Sequence, residues 1–173
     1  MGKQALLVID MLEDFVGEDG ILYIGEISQK VTQAVAAVIK EAREREIPVI
    51  YICDRHREDD AEFRMFPAHC VENTLGAEIL KDIAPQPKDY IIPKRRYSAF
   101  FGTDLDATLR ELGVTELILV GVCTNICVLY TAADARMLNY EVTVIKDAVA
   151  SFDEEAHNFA LKELETTLGA KIR

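Results

Sequence analysis

The sequence predicts an α/β fold, with a mostly parallel sheet of five to six strands between two layers of helices in a three-layer α/β/α, Rossmann-like arrangement. Short apolar runs alternate along the chain with longer amphipathic segments. Parallel neighbouring strands need crossover connections, which helices usually supply. The 173 residues contain no internal repeat or linker, so we expect one domain over residues 1–173.

The first half of the chain predicts three strands. Its predicted elements are, in order, a strand at 5–9, a helix at 27–46, a strand at 49–53, a short helix at 76–81 and a strand at 90–92. Apolar residues three and four apart predict the long helix, and Pro48 ends it. The loop at 54–73 is long for a compact domain, and such loops usually carry function.

The second half continues the alternation. Its predicted elements are a helix at 104–112, a strand at 117–122, a helix at 125–138, a strand at 142–145, a helix at 153–168 and an edge strand at 171–172. Gly113 and Gly169 follow two of these helices, and glycine is the usual residue after a helix ends.

Composition excludes several classes of function. The chain has 19 basic and 30 acidic residues, a formal charge of −11 that opposes non-specific nucleic-acid binding. Its four cysteines show neither disulfide-framework nor zinc-knuckle spacing, which suits a reducing compartment. The first apolar stretch is too short for a signal peptide or a membrane span. We therefore expect a cytoplasmic protein that binds neither nucleic acid nor membrane.

Cys127 lies where a strand gives way to a helix, the edge of a parallel sheet at which ligands bind. Thr124 or Asn125 can cap that helix, which would place Cys127 in its first turn. There the free N–H groups and the helix dipole favour thiolate over thiol. Cys127 is therefore a candidate nucleophile; the alternative is a buried cysteine that packs beneath the helix.

Charged residues follow the other predicted strands. Asp10 ends the first strand and is either a site carboxylate or an ordinary cap. Lys94 follows the third strand and lies either beside the thiol, where its charge would favour a carboxylate, or in a solvated loop. Because parallel strands end at one edge of a sheet, we expect these residues to meet Cys127.

The loop after the second strand carries candidate metal ligands. Asp54, His56 and His69 offer one oxygen and two nitrogens, a set suited to a divalent transition metal, and Glu62 could add an oxygen. The alternative is a polar surface loop.

Five motifs spread over nearly the whole chain are similar to those of one family. They are LVIDMLEDF at 7–15, DRH at 54–56, FPAHCVENTLGAE at 66–78, KRRYSAFF at 94–101 and GVCTNICV at 121–128. The chain resembles the isochorismatase-like cysteine hydrolases and, within them, the nicotinamidase (pyrazinamidase) branch. The resemblance implies an isochorismatase-like fold.

The resemblance implies a catalytic triad of Asp10, Lys94 and Cys127. It also implies a cis peptide bond between Val122 and Cys123, with the backbone N–H groups of Cys123 and Cys127 forming an oxyanion hole. The Cys123 side chain stands where the family usually has a small residue, and we interpret it as structural.

The resemblance further implies a metal held by Asp54, His56 and His69, with Glu62 as a possible fourth ligand. The ligand set suits zinc, iron or manganese. No organic cofactor is expected, and relatives commonly form homodimers or tetramers. Metal-free relatives such as isochorismatases would not need these ligands, which favours the nicotinamidase branch.

A small-molecule amide is the implied substrate, and an aromatic slot could hold a flat ring. The slot residues are Phe15, Phe66, Tyr97 and Phe101. The chain departs from the family at Leu12, usually Gln or Asn, at Phe66, usually Trp, and at Asn73, usually Gly. Asn tolerates a left-handed backbone, so the turn at Asn73 can survive.

The implied reaction is hydrolysis of nicotinamide to nicotinate and ammonia through a thioester on Cys127. Three alternatives stay open. The substrate could be a ureido or carbamoyl amide, the reaction could be isochorismate-type vinyl-ether hydrolysis, or the chain could be a catalytically silent scaffold.

Overall fold

The computed structural model describes residues 2–173 and contains a six-stranded sheet whose strands are all parallel, in the order β3-β2-β1-β4-β5-β6. The strands are β1 (Lys3–Ile9), β2 (Val49–Asp54), β3 (Tyr90–Lys94), β4 (Val114–Val122), β5 (Glu141–Ala150) and β6 (Lys171–Ile172). The α-helices are α1 (Glu13–Val16), α2 (Ile27–Glu44), α3 (Leu105–Glu111), α4 (Leu129–Met137) and α5 (Glu154–Thr166). The predicted fold class is confirmed.

Both faces of the sheet are buried. Along β1, Leu7 and Ile9 pack into one apolar core, while Leu6 and Val8 pack into a second core on the opposite face. This double burial explains why the strands have continuous apolar runs rather than alternating ones. The second core is covered by α2, whose inner face contributes Val31.

Strand register brings the carboxyl ends of the central strands together. Ile9 of β1 pairs with Ile52 of β2 and with Gly121 of β4, and Asp54 pairs with Lys94 at the end of β3. The residues that end β1, β2, β3 and β4 therefore occupy one edge of the sheet, as the sequence predicts.

The predicted helix at 76–81 is wrong. Two 3₁₀ turns, Leu75–Ala77 and Lys81–Ile83, stand in its place. The residues between them bond to the segment after β1: Leu12 and Ile79 form an antiparallel bridge, and the Leu80 N–H donates to the Met11 carbonyl over 3.2 Å. These tertiary hydrogen bonds replace the helical ones.

Other differences concern element ends. The helix predicted at 27–46 ends at Glu44, and Glu46 has a left-handed backbone with φ of 54°. Strand β5 runs on to Ala150 through the exposed, charged pair Lys146 and Asp147, which hid its length. Asn73 has φ of 63°, the left-handed conformation that the sequence predicts there. Among the helices of residues 2–173, none has the length and apolar character needed to cross a membrane.

Candidate active site

Asp10 lies at the carboxyl end of β1 and is completely buried. Its φ of 51° is in the left-handed region, which Asp tolerates better than most residues. Oδ1 accepts a hydrogen bond from the Asp54 backbone N–H over 2.8 Å, and Oδ2 lies 2.9 Å from the Lys94 Nζ. The carboxylate is therefore fixed between β2 and β3.

Lys94 is the last residue of β3 and is only 2% exposed, which excludes a solvated loop lysine. Its Nζ lies 2.9 Å from Asp10 Oδ2, 2.5 Å from Asp54 Oδ1 and 3.4 Å from Cys127 Sγ. Burial lowers the pKa of Lys94, but the charges of Asp10 and Asp54 outweigh burial and hold that pKa well above its usual value. The ammonium is therefore charged in the site.

Cys127 belongs to a single π-helical turn, Thr124–Val128, that links β4 to α4. The N-cap is Cys123, which makes no side-chain capping bond, so the prediction of a Thr124 or Asn125 cap is wrong. Thr124 instead shares a hydrogen bond of 2.8 Å with His157 Nδ1, and Asn125 Oδ1 accepts one of 2.7 Å from the Ser151 hydroxyl. The Val122–Cys123 peptide bond is cis, as the resemblance implies.

Burial decides where the proton of Cys127 resides. Burial and the Asp10 charge raise the pKa of the Cys127 thiol well above its usual value, despite the opposing Lys94 ammonium. The expectation that the helix terminus would favour a thiolate is therefore wrong for the resting site. Burial also raises the pKa of Asp10 to about 6, partly offset by Lys94 and by a hydrogen bond with Cys127. At neutral pH the site pairs a thiol with a carboxylate that can accept its proton.

Four buried residues form the cluster predicted to hold a metal. Asp54, His56, Glu62 and His69 each offer one ligand atom, and these atoms lie within 4.8 Å of one another. Asp54 Oδ2 is 3.4 Å from His56 Nε2 and 3.6 Å from His69 Nε2, and Glu62 Oε1 is 4.0 Å from His69 Nε2. The polar-surface-loop alternative is excluded because all four residues are buried.

The second ring nitrogen of each histidine has its own partner. His56 Nδ1 lies 3.1 Å from Asp60 Oδ2, and His69 Nδ1 lies 2.8 Å from the Pro67 carbonyl. If each Nδ1 carries the proton, as these acceptors favour, each Nε2 presents a lone pair to the cluster. His56 Nε2 is buried without a hydrogen-bond partner. An orphaned nitrogen beside two carboxylates fits a divalent cation.

Asp60 borders the ligand cluster and was missed by the sequence analysis. Its buried carboxylate accepts hydrogen bonds from Arg95, Arg96 and the Glu62 backbone N–H as well as facing His56. Burial opposes ionisation, but these partners outweigh it and hold the pKa of Asp60 well below its usual range. The available signal was the adjacent pair Arg95 and Arg96 directly after Lys94, since arginine forms strong charge-assisted hydrogen bonds with carboxylates.

The cavity at Cys127 has a volume of about 30 Å³. Phe15, Phe66 and Tyr97 line it, as predicted. Phe101 does not: it is 66% exposed and lines a different groove with Arg95 and Arg96, so its predicted place in the slot is wrong. Leu22, Ile126 and Phe152 complete the wall. Phe152 follows β5 at the same edge of the sheet, a position that could have identified it.

Comparisons with known proteins match nearly the whole chain. The sequence-family model of the isochorismatase domain matches residues 4–172. The uncharacterized isochorismatase family protein PncA of Bacillus subtilis is 40% identical over 180 residues, which cover 98% of each chain.

Two solved structures have closely similar folds. The crystal structure of nicotinamidase PncA from Bacillus subtilis superposes with a TM-score of 0.93 at 36% identity and covers 98% of both chains. Pyrazinamidase of Pyrococcus horikoshii, solved in complex with zinc, gives a TM-score of 0.93 at 35% identity and covers 99% of this chain and 98% of its own.

Proposed function

The chain belongs to the isochorismatase family and is an amide hydrolase, and we propose that it is a metal-assisted nicotinamidase. The observation that carries the proposal is the position of Asp54. One of its oxygens contacts the Lys94 ammonium, and the other faces the two histidines of the ligand cluster. A nucleophile and a cation site thus share one residue, which suits an amide whose ring carries a second ligand atom.

Asp10, Lys94 and Cys127 would perform the first half of the reaction. Asp10 accepts the thiol proton while the Cys127 sulfur attacks the carboxamide carbon, and the nearby Lys94 ammonium stabilises the negative charge that develops. The backbone N–H groups of Cys123 and Cys127 would hold the oxyanion. The proton on Asp10 then passes to the departing nitrogen, which leaves as ammonia, and a thioester remains on Cys127.

Water completes the reaction. Asp10 takes a proton from a water molecule while the water oxygen attacks the thioester carbon, and the carbon–sulfur bond then breaks. The proton returns from Asp10 to the sulfur, so the carboxylic acid product leaves and the thiol is restored.

The residues Asp54, His56, Glu62 and His69 would hold a divalent cation, which would supply a Lewis-acid position for the ring nitrogen of the substrate. Phe15, Phe66 and Tyr97 would flank the ring. The buried ligand cluster is the reason to prefer this substrate to an isochorismate-type ether, which offers no ring nitrogen.

Ammonia release from nicotinamide tests the proposal. We expect the purified protein to release ammonia, Cys127→Ala to abolish release, and the control Cys53→Ala, which removes another buried thiol, to retain it. Prolonged chelation followed by desalting should suppress turnover, and one divalent cation should restore it. Turnover of other amides but not nicotinamide would contradict the substrate assignment. Turnover that survives chelation would contradict the requirement for a bound divalent cation.

We also propose that the protein works in the cytoplasm as a homodimer or homotetramer. Light scattering of the purified protein tests the assembly.

A further inference from the structure

The cavity at Cys127 is smaller than the substrate that the site is proposed to take. Its volume is about 30 Å³, whereas pockets for small organic ligands begin at about 300 Å³. A pyridine ring with its carboxamide cannot enter unless part of the wall moves.

Three aromatic walls are held by their neighbours. The Phe15 ring meets His69 edge-on at 5.6 Å, and the Phe66 ring contacts both His69 and Tyr97. Tyr97 in turn stacks on Tyr130 at 5.7 Å. Moving any of these rings would disturb the proposed ligand His69 or a stacked pair.

Phe152 is held differently. The residue is 54% exposed, and its ring has no aromatic partner within residues 2–173. Its backbone is nevertheless fixed, because the preceding Ser151 hydroxyl donates to Asn125 Oδ1 over 2.7 Å and the following Asp153 caps α5. A fixed backbone with a half-exposed ring can change rotamer without moving the sheet edge.

A second and larger space also borders Phe152. A groove of about 530 Å³ runs between α2 and the junction of β5 with α5, lined in part by Ile24, Val31 and His157. Phe152 is the residue that lines both this groove and the cavity at Cys127. Rotation of its ring would therefore join the two spaces.

We propose that Phe152 is a specificity-determining residue: its ring is the movable wall between the nucleophile cavity and the groove, and it limits the size of the amide that reaches Cys127. The inference rests on the proposed amidase function. Small flat amides displace the ring by a modest rotation, whereas a larger ring system needs the space that the phenyl group occupies. The body of such a substrate would extend into the groove.

Substrate selectivity gives the first test. Quinoline-3-carboxamide keeps the ring nitrogen and carboxamide of nicotinamide and adds a fused ring. We expect Phe152→Ala to raise the ratio of kcat/KM for quinoline-3-carboxamide over nicotinamide by about tenfold or more. The control Phe159→Ala changes a phenylalanine that is 60% exposed and lines neither space, so its ratio should match the wild type. An unchanged ratio in Phe152→Ala overturns the proposal.

Alkylation of Cys127 separates this proposal from the proposed function. N-phenylmaleimide and iodoacetamide react with the same sulfur. The ratio of their rates therefore does not depend on the ionisation of Cys127 and measures how easily the larger reagent reaches it. Peptide mass spectrometry should show that Phe152→Ala raises the N-phenylmaleimide rate relative to iodoacetamide by about tenfold, and that Phe159→Ala does not. If this ratio rises but the protein turns over no amide, the amidase function is contradicted and the role of Phe152 as the movable wall is supported. An unchanged ratio would contradict that role of Phe152, whether or not amides are turned over.

Discussion

Asp54 Oδ1 lies 2.5 Å from Lys94 Nζ, and this ion pair joins the nucleophile site to the ligand cluster. Burial raises the pKa of Asp54, but Lys94, His56 and His69 together outweigh burial and hold it well below its usual range. The residue is therefore a carboxylate that serves two sites. Loss of its charge should affect both, whereas loss of a histidine should affect one.

Asp54→Asn should lower activity and metal affinity together. The amide keeps an oxygen but no charge, so Lys94 loses an ion-pair partner and we expect kcat/KM to fall about a hundredfold or more. His69→Asn removes a ligand that does not contact Lys94. Excess Zn²⁺ or Mn²⁺ should therefore restore part of the activity of His69→Asn but not that of Asp54→Asn, as ammonia assays over a metal titration can measure. Equal rescue of the two variants would refute the dual role.

Lys94→Gln should cost both stability and activity. Without the ammonium, the buried carboxylates of Asp10 and Asp54 face each other uncompensated, which is expected to cost about 3–5 kcal/mol of unfolding free energy. Urea unfolding measures that loss, with the exposed Lys88→Gln as control. A Lys94→Gln protein as stable as the control would show that the three charges are not coupled.

Asp60→Asn should weaken metal binding by about 10–100-fold. Asp60 orients the His56 ring by accepting its Nδ1–H, and the neutral amide is a weaker acceptor. Competition with a chromogenic chelator measures the dissociation constant without relying on turnover. Asp59→Asn is the matched control because Asp59 is exposed and pairs with Arg57. Identical affinities in the two variants would exclude a positioning role for Asp60.

The convergence of Asp10, Asp54, Lys94 and Cys127 could be predicted from the sequence because it depends on strand direction alone. Each residue ends or follows a separate strand, and parallel strands end at one edge. The protonation of Cys127 could not be predicted, because it depends on burial and on the nearby Asp10 charge, neither of which sequence spacing shows.

The aromatic slot was predicted less well for a related reason. Phe101 lies in a turn, where sequence spacing does not determine the direction of a side chain, and its ring points to another groove. Phe152 lines the cavity at Cys127 instead, although it lies fifty-one residues after Phe101 in the sequence. Strand register brings it there, because Ala150 near the end of β5 pairs with Val122 beside the nucleophile turn.

Gly121→Ala should disturb the site through β1. A Cβ at Gly121 would lie 2.0 Å from the Ile9 carbonyl oxygen, and Ile9 precedes Asp10. Gly102→Ala is the control, because Gly102 also has positive φ but has nothing within 4 Å of the added carbon. Positive φ costs an alanine about 1–3 kcal/mol at either position, and Gly121→Ala should lose about 1–3 kcal/mol more than Gly102→Ala in urea unfolding because of the close contact. Equal losses would show that the close approach of the two strands is unimportant.

Alkaline pH should destabilise the fold through Tyr140, which lies far from the ligand cluster in sequence and packs in the core with α3 and α4. Burial raises the pKa of Tyr140 to about 12, and the hydrogen bond of 2.7 Å that its hydroxyl donates to Asp106 contributes. Because the folded pKa exceeds the unfolded value of about 10, the stabilising contribution is complete below pH 10 and is lost as the pH rises toward 12. Urea midpoints measured between pH 8 and 11 should fall more steeply for the wild type than for Tyr140→Phe, which has no proton to lose. Parallel profiles would mean that the phenol of Tyr140 titrates alike in the folded and unfolded chains.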